Sequence, residues 1–465
     1  MPTHVSSWSA LFQGRRAAYT VLLTSGIGVN ATGLFIVATV LPSVVSDIGG
    51  TAFYAWATML YTIASVIGTA CGGFVRAWLD FRPGYLVGTL VVLVGVLACA
   101  LAPHMGVLLL ARTVQGFGSG MLIALAYSMV GELYPELLRP RIFSAISGMW
   151  GIAALVGPLV GGMFATSGWW RGAFWMFTPV LLVLGTLAWS ALPPASPKGT
   201  DERLPLARLT LLAAGVLCVA LSGHVGYLGI RLGLIGSAIA LVGYTFHLDA
   251  RTVTRLFPSQ PLSLITPVGT ACWMFFLFGM TTSQVTVYMP LMVQVLYDVS
   301  PLTAGYFAAL LSVAWTVLAL STAGLQGRHV RYVMVVGPLL ITCGVLGLAV
   351  LMARGSLMLL GVCVCLTGAG IGSCFAHLSS CTIAAARPGE SALTASAIPT
   401  MQLLGIAFGA AVAGLVANAA GLTQGVSVRT VTIAATWVYQ VSLLAPVAIM
   451  VLSWRLVRMR RHDVE

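Results

Sequence analysis

Apolar stretches broken by short charged or polar segments recur along all 465 residues. A helix needs roughly 20 mainly apolar residues to cross a hydrocarbon core of about 30 Å, and runs of that order succeed one another from end to end. They predict fourteen spans, near 18–45, 52–75, 84–102, 106–131, 142–166, 172–192, 208–224, 229–248, 265–296, 302–322, 332–352, 357–385, 392–418 and 431–454. Only helices and closed barrels satisfy the backbone in lipid, and runs this long are helical in pattern. The fold class is therefore an all-α polytopic membrane protein.

The spans repeat. At a constant offset of 252, Gly72 and Arg76 recur as Gly324 and Arg328; Gly116, Gly118 and Gly120 recur as Gly368, Gly370 and Gly372; Gly157 and Gly162 recur as Gly409 and Gly414. Seven identities in three spans share one register, in the same helix order. The repeat divides the chain into a six-helix half over 1–192, a connector over 193–264 and a second six-helix half over 265–465. The connector opens on the polar, Pro-rich stretch from Leu192 to Arg203 and then supplies two further helices. Two crossings leave both halves in the same orientation, and the symmetry gives these helices no site.

Composition confirms the solvent: 59% of residues are hydrophobic and 7% charged, where a soluble domain carries roughly 25% charged residues. The net charge of +12 points to topology when its distribution is followed. Eighteen of the 23 Lys and Arg residues fall in the loops on one side, among them Arg15, Arg16, Arg76, Arg139, Arg251, Arg255, Arg387 and the tail Arg455 to Arg461; four fall on the other. The positive-inside rule then places both termini in the cytoplasm of a plasma (inner) membrane protein, with anionic lipid rather than nucleic acid as the partner of the basic loops. The nine cysteines lie in apolar spans as small packing residues, and no spacing suits a metal. No metal or cofactor is expected. The stretch after Arg15 and Arg16 is too long for a cleavable signal. No H-E-x-x-H, G-x-S-x-G or midplane acid pair suggests an enzyme.

Several local motifs carry chemistry. In the fifth span stands Gly157-Pro158-Leu159-Val160-Gly161-Gly162; in the fourth, Leu110-Ala111-Arg112-Thr113-Val114-Gln115-Gly116-Phe117-Gly118. Trp170-Arg171-Gly172-Ala173-Phe174 follows the fifth span, and Gln294 with Ser300-Pro301-Leu302-Thr303-Ala304-Gly305 lies in the ninth and tenth. Together these resemble the drug:proton antiporters of the major facilitator superfamily and, in helix number, their fourteen-helix branch. The resemblance implies two six-helix halves rocking by alternating access around a central site. It also implies export, because G-P-x-x-G-G marks exporters. Physically, Pro158 removes a backbone donor and the glycines let a neighbouring helix approach, geometry that a merely kinked, close-packed helix shares. Arg112 is the one basic residue within a span. The resemblance gives it and Gln115 a part in proton coupling, while a structural Arg bonded to helix-end carbonyls is the other reading.

Two departures from the family pattern matter. The loop after the second span usually reads G-x-L-A-D-R-x-G-R-R; counted from Gly72, Arg76 stands at the Asp and Asp80 at an Arg, reversing the pair at an i,i+4 spacing. An altered conformational latch is expected. In the first span Gly33 stands where many members of the branch carry an Asp, and all eleven acids lie near span ends or in loops. Glu132 is the nearest substitute. His377, about ten residues or some 15 Å of helix from Arg387, is the other candidate proton carrier, or else a neutral His bonded across a helix interface. His224 reads as a loop-end residue.

Proton coupling is thus assigned to Arg112, Gln115, Glu132 and His377, and helix packing and gating to Gly72, Arg76, Asp80, Gly157, Pro158, Gly161 and Gly162. A small-molecule substrate would be lined by Asn30, Tyr127, Gln284, Tyr61, Trp150, Trp315 and Gln402 along with His377. The absent acid predicts neutral or anionic amphipathic substrates over lipophilic cations. An importer or facilitated-diffusion carrier of the same fold remains the alternative. A scaffold without transport would not need the two-half repeat.

Overall fold

The computed structural model describes residues 7–50, 53–194, 205–223, 225, 227–252, 254–422 and 427–462. Most of the Pro-rich linker, with Lys198 and Arg203, and His224 lie outside the described residues. Among those described the structure is helical throughout. The helices are α1 (Arg15–Ile48), α2 (Tyr54–Ala70), α3 (Gly72–Leu79), α4 (Phe81–Ala100), α5 (Met105–Leu133), α6 (Arg139–Thr166), α7 (Gly172–Trp175), α8 (Phe177–Ala191), α9 (Leu206–Ser222), α10 (Leu228–Ala250), α11 (Pro267–Ser283), α12 (Met289–Tyr297), α13 (Pro301–Thr322), α14 (Arg328–Leu351), α15 (Leu357–Ala384), α16 (Ser391–Ala419), α17 (Val428–Ser442) and α18 (Leu444–His462).

Twelve helices among the described residues are long and apolar enough to span a membrane, and the pair α2 and α3, bent by 49°, makes a thirteenth if counted as one span. The remaining expected span, α9, has only 17 residues. It falls short of the usual crossing length of roughly 20. A count of fourteen therefore depends on α9 and on the bent pair each crossing.

The chain groups into two compact units. One comprises Met1–Ala213, Thr245–Ser259 and Ala386–Thr400; the other comprises Ala214–Tyr244, Gln260–Ala385 and Met401–Glu465. In the first, α5 is the central helix. Its Gly116 and Gly120 lie against the backbone carbonyls of Tyr61 and Ser65 on α2, and Gly118 lies against Val92 on α4. A Cβ at these positions would overlap backbone atoms, so only glycine permits the approach. On α6, Gly157 and Gly161 bring the helix onto Phe35, Ile36 and Thr39 of α1.

The second unit uses the same device. Gly368 and Gly372 of α15 lie against the carbonyls of Leu311 and Trp315 on α13, and Gly370 lies against Gly337 and Ile341 on α14. Gly405 and Gly409 of α16 meet Phe276 and Met280 of α11. At Gly116/Gly368, Gly118/Gly370, Gly120/Gly372 and Gly157/Gly409 the repeated glycines thus make the same helix pairings in both halves of the sequence. Within this unit α9 and α10 contact the small-residue face of α16, where Val219, Ala238 and Ala411 form a buried cluster. Arg231, on α10, is buried and donates to the Gly414 carbonyl at 3.0 Å.

Two sequence motifs have plain local roles. Ser300 caps α13, accepting from the Thr303 amide, with Pro301 in the first turn where its missing N–H costs nothing. Trp170 and Arg171 both donate to Asp47 at the end of α1, at 3.0 and 2.6 Å.

Candidate functional site

The first unit gathers four of the sequence-derived candidates into one buried cluster. Arg112 on α5 is 1% exposed. Its Nη1 donates to Gln115 Oε1 at 2.7 Å, one turn along the same helix, and its Nε donates to the Ala57 carbonyl of α2 at 3.3 Å. The guanidinium lies over the Tyr61 ring, 4.1 Å from its centroid, and the Tyr61 hydroxyl donates to Asn30 Oδ1 on α1. The chain of contacts therefore joins three helices: α1, α2 and α5.

These partners explain how a cation is tolerated there. A buried guanidinium is stable only when hydrogen-bonded, and the carbonyl, the amide oxygen and the aromatic face each offset part of its lost hydration. None of them carries a negative charge. The Gln115 Nε2 comes to about 4.0 Å from where a side chain at Gly33 would start, so the position of the absent acid opens directly onto this cluster. Arg112 Nη2 is buried with no hydrogen-bond partner among the described residues. One donor group is thus left without an acceptor among the described residues.

A second group lies at the other end of α5. Arg76 on α3 donates from Nη1 to Asp80 at 2.8 Å and from Nη2 to Glu132 on α5 at 2.6 Å, with its guanidinium 4.0 Å above the Phe81 ring. The reversed pair of the family loop is therefore formed, and Glu132 completes a triad across two helices. Asp80 takes φ +64° between α3 and α4, a left-handed conformation disfavoured for a side chain with a Cβ, and accepts from the Phe81 amide at 2.8 Å. Gly72 and Gly73 face Ala124 of α5 and Leu393 of the first turns of α16, while Ser128 donates to the Ala392 carbonyl at 3.1 Å. The latch is thus packed against the start of α16.

In the second unit, His377 on α15 is buried, with Nε2 2.9 Å from the Thr322 carbonyl of α13. A carbonyl only accepts, so Nε2 carries the hydrogen and Nδ1 is the nitrogen left to take up a proton. Trp315 packs on Phe375 of α15 at 5.2 Å between ring centroids, and its indole Nε1 is buried without a partner among the described residues. Gln284 opens a π-turn over Gln284–Tyr288 and accepts from Ser442 of α17. A π-turn in a spanning helix marks a local departure from regular bonding of the kind found at functional sites.

The remaining candidates do not join these groups. Tyr127 packs on Phe143 of α6 at 5.1 Å, and Trp150 and Gln402 are half-buried on α6 and α16. Pro158 lies inside α6 without ending it. A Cβ at Gly162 would meet nothing within 4 Å, so the close approach of α6 rests on Gly157 and Gly161. Sequence reasoning did not find the buried Arg208–Asp249 pair of the connector. Its signal was present: both residues fall at the ends of two consecutive short helices, on the same side.

Comparison with known proteins gives one family. The model of the Major Facilitator Superfamily matches residues 23–410. A Mycobacterium tuberculosis protein named "Probable multidrug-efflux transporter" is 32% identical over 434 residues, covering 90% of this chain and 91% of that one. Multidrug resistance protein 3 of Bacillus subtilis is 23% identical over 403 residues, covering 85% and 78%. Among solved structures, the human organic anion transporter MFSD10 aligns with TM-score 0.67 at 15% identity over 93% of this chain and all of that one, as does the proton:xylose symporter XylE with 0.65 at 15% over 95% of each. These two establish the fold alone. With its duplicated glycine-packed helices and a family match spanning most of its length, the chain belongs to the major facilitator superfamily and is a multi-pass membrane transporter.

Proposed function

We propose that this transporter is a proton-coupled exporter of small amphipathic molecules, of the drug:proton antiporter type and its fourteen-helix branch, working by alternating access with both termini in the cytoplasm. The observation that carries the reading is the buried cluster of Arg112, Gln115, Tyr61 and Asn30 beside Gly33. It stands where the antiporter motif of α6 packs on α1, and a relative that is named for multidrug efflux matches along nearly the whole chain.

Within this reading, Arg112 and Gln115 set the charge of the cavity, and His377 carries the proton through Nδ1. Glu132 serves the Arg76 latch. Asn30, Tyr61, Gln284 and Trp315 line the path of the substrate. With a cation and no carboxylate in the cluster, neutral or anionic substrates are favoured over quaternary ammonium dyes.

Inverted vesicles under an imposed pH gradient test this. Accumulation of a neutral or acidic amphiphile, lost in His377→Ala and retained in Glu132→Gln, is the expected result. Uptake that ignores the gradient supports a facilitated-diffusion carrier instead, and strong gradient-driven ethidium transport surviving both substitutions overturns the substrate assignment. A reporter fused after the last residue and active only on the outer face would overturn the topology, which requires an even number of crossings.

A further inference from the structure

Beside the latch the first unit holds a cavity of about 1030 Å³, lined by Arg76, Arg251, Arg255 and Arg387 and, among acids, by Glu132 and Glu390. We propose that this cavity is a binding site for a phosphate-bearing anion, walled on one side by the connector.

A strap of residues 249–252 and 254–259 follows the end of α10 and closes on Asp249. Asp249 is buried and accepts from Arg208, from the Leu256 amide at 2.8 Å and from the Phe257 amide at 3.0 Å. Arg208 in turn donates to the Thr254 carbonyl at 2.6 Å and to the Thr252 hydroxyl at 2.7 Å. This buried ion pair, with all these bonds made, ties Thr252, Thr254, Leu256 and Phe257 to the ends of α9 and α10. Arg251 and Arg255 are thereby fixed at the cavity wall.

The acids of the cavity are already engaged. Glu132 is held by Arg76. Glu390 accepts from the Ser259 amide at 3.0 Å and from its hydroxyl, with Arg255 at 3.7 Å. Arg251 and Arg387 are exposed, and their guanidiniums form no hydrogen bond or ion pair among the described residues. Among the described residues, two unpaired guanidiniums therefore face a space whose carboxylates are already engaged, and phosphate oxygens match their forked donors in geometry and charge. The volume lies at the upper end of what small-ligand pockets occupy, about 300–1,000 Å³. The basic loops that mark this end of the helices as cytoplasmic put it at the level of lipid headgroups, where juxtamembrane basic pockets bind anionic lipid. A headgroup phosphodiester and free phosphate share this chemistry.

Binding to the purified full-length protein in a neutral detergent separates them, and because its readout is not transport it stands apart from the export reading. Short-chain phosphatidylglycerol, short-chain phosphatidylcholine and inorganic phosphate are titrated against wild type, against Arg251→Gln with Arg387→Gln, and against a control bearing Arg328→Gln with Arg331→Gln. The expected result is a Kd for phosphatidylglycerol about thirtyfold weaker in the first double variant and within about threefold of wild type in the control, from about a fivefold contribution per guanidinium. Each single variant should lose about fivefold, which keeps the test open if the double variant does not fold. If inorganic phosphate binds with the same dependence on Arg251 and Arg387, the ligand is a soluble anion; if only the lipid does, it is a headgroup. Equal binding by wild type and site variants, equal loss in the control, or phosphatidylcholine binding as well as phosphatidylglycerol would overturn the proposal.

Discussion

The fourth helix of each repeat, α5 in the first half and α15 in the second, has the same packing and opposite chemistry. Both bury three glycines, two against the backbone carbonyls of one neighbour and one against another. Yet at the offset of 252 the buried Arg112 and Gln115 of α5 correspond to Val364 and Thr367 of α15, and the buried His377 of α15 corresponds to Leu125 of α5. Arg112 and His377 thus each stand where the counterpart helix carries an aliphatic side chain. Close approach must be duplicated for two halves to form the same bundle. Charge need not be, because a buried cation costs several kcal/mol in each place it occurs.

Arg112→Ala should have the largest effect. It removes the charge-assisted bond to Gln115 and the Ala57 contact, and gradient-driven transport should fall by at least about a hundredfold, while the yield of folded protein and the Tm stay near wild type. Parallel loss of transport and fold would make Arg112 a structural residue. The counterpart Val364→Ala should leave most transport intact, since it deletes only apolar contact.

Packing should break symmetrically. Gly116→Val and Gly368→Val each push a side chain into a neighbouring backbone carbonyl and should each cost about 1–3 kcal/mol, read as similar drops in Tm. A large drop in one and none in the other would show that the two halves are not packed alike. His377→Gln should flatten the pH dependence of transport with little change in Tm, while Leu125→Gln, which buries an unpartnered amide, should lower stability without moving the pH profile.

The latch is the smaller case. Arg76 pairs with Asp80 and Glu132, whereas Arg328, its repeat partner, forms no ion pair among the described residues. Arg76→Gln should slow transport severalfold, with a stability change of about 1 kcal/mol or less for a partly exposed pair, and Arg328→Gln should do neither. The smallest effect belongs to Gly162→Ala, which meets open space and should be silent, whereas Gly414→Ala meets the Tyr288 hydroxyl at 2.7 Å and should be felt.

Much of this was legible in the chain. Span positions followed from the absence of charge over helix-crossing lengths, and the repeat followed from glycines because close helix contact tolerates no other residue. The count of fourteen was less secure: α9 is bounded by Pro205 and Gly223 and reaches only 17 residues. The reversed Arg76 and Asp80 were readable as an i,i+4 pair, but Glu132 sits 56 positions from Arg76 and joined the pair only through folding. Gly162 shared a motif with Gly157 and Gly161 and differs from them solely in which way its face of α6 turns.

The sequence by itself determined the solvent, the helices and their duplication, because each is a sum or a period along one dimension. Which polar groups meet was decided only by the tertiary structure. Asn30, Tyr61 and Arg112 lie on three helices with no fixed spacing between them, and the strap that sets Arg251 and Arg255 on a cavity wall exists because Asp249 found Arg208 across 41 residues. A buried polar group must find a partner wherever the fold supplies one, and no local pattern records that choice.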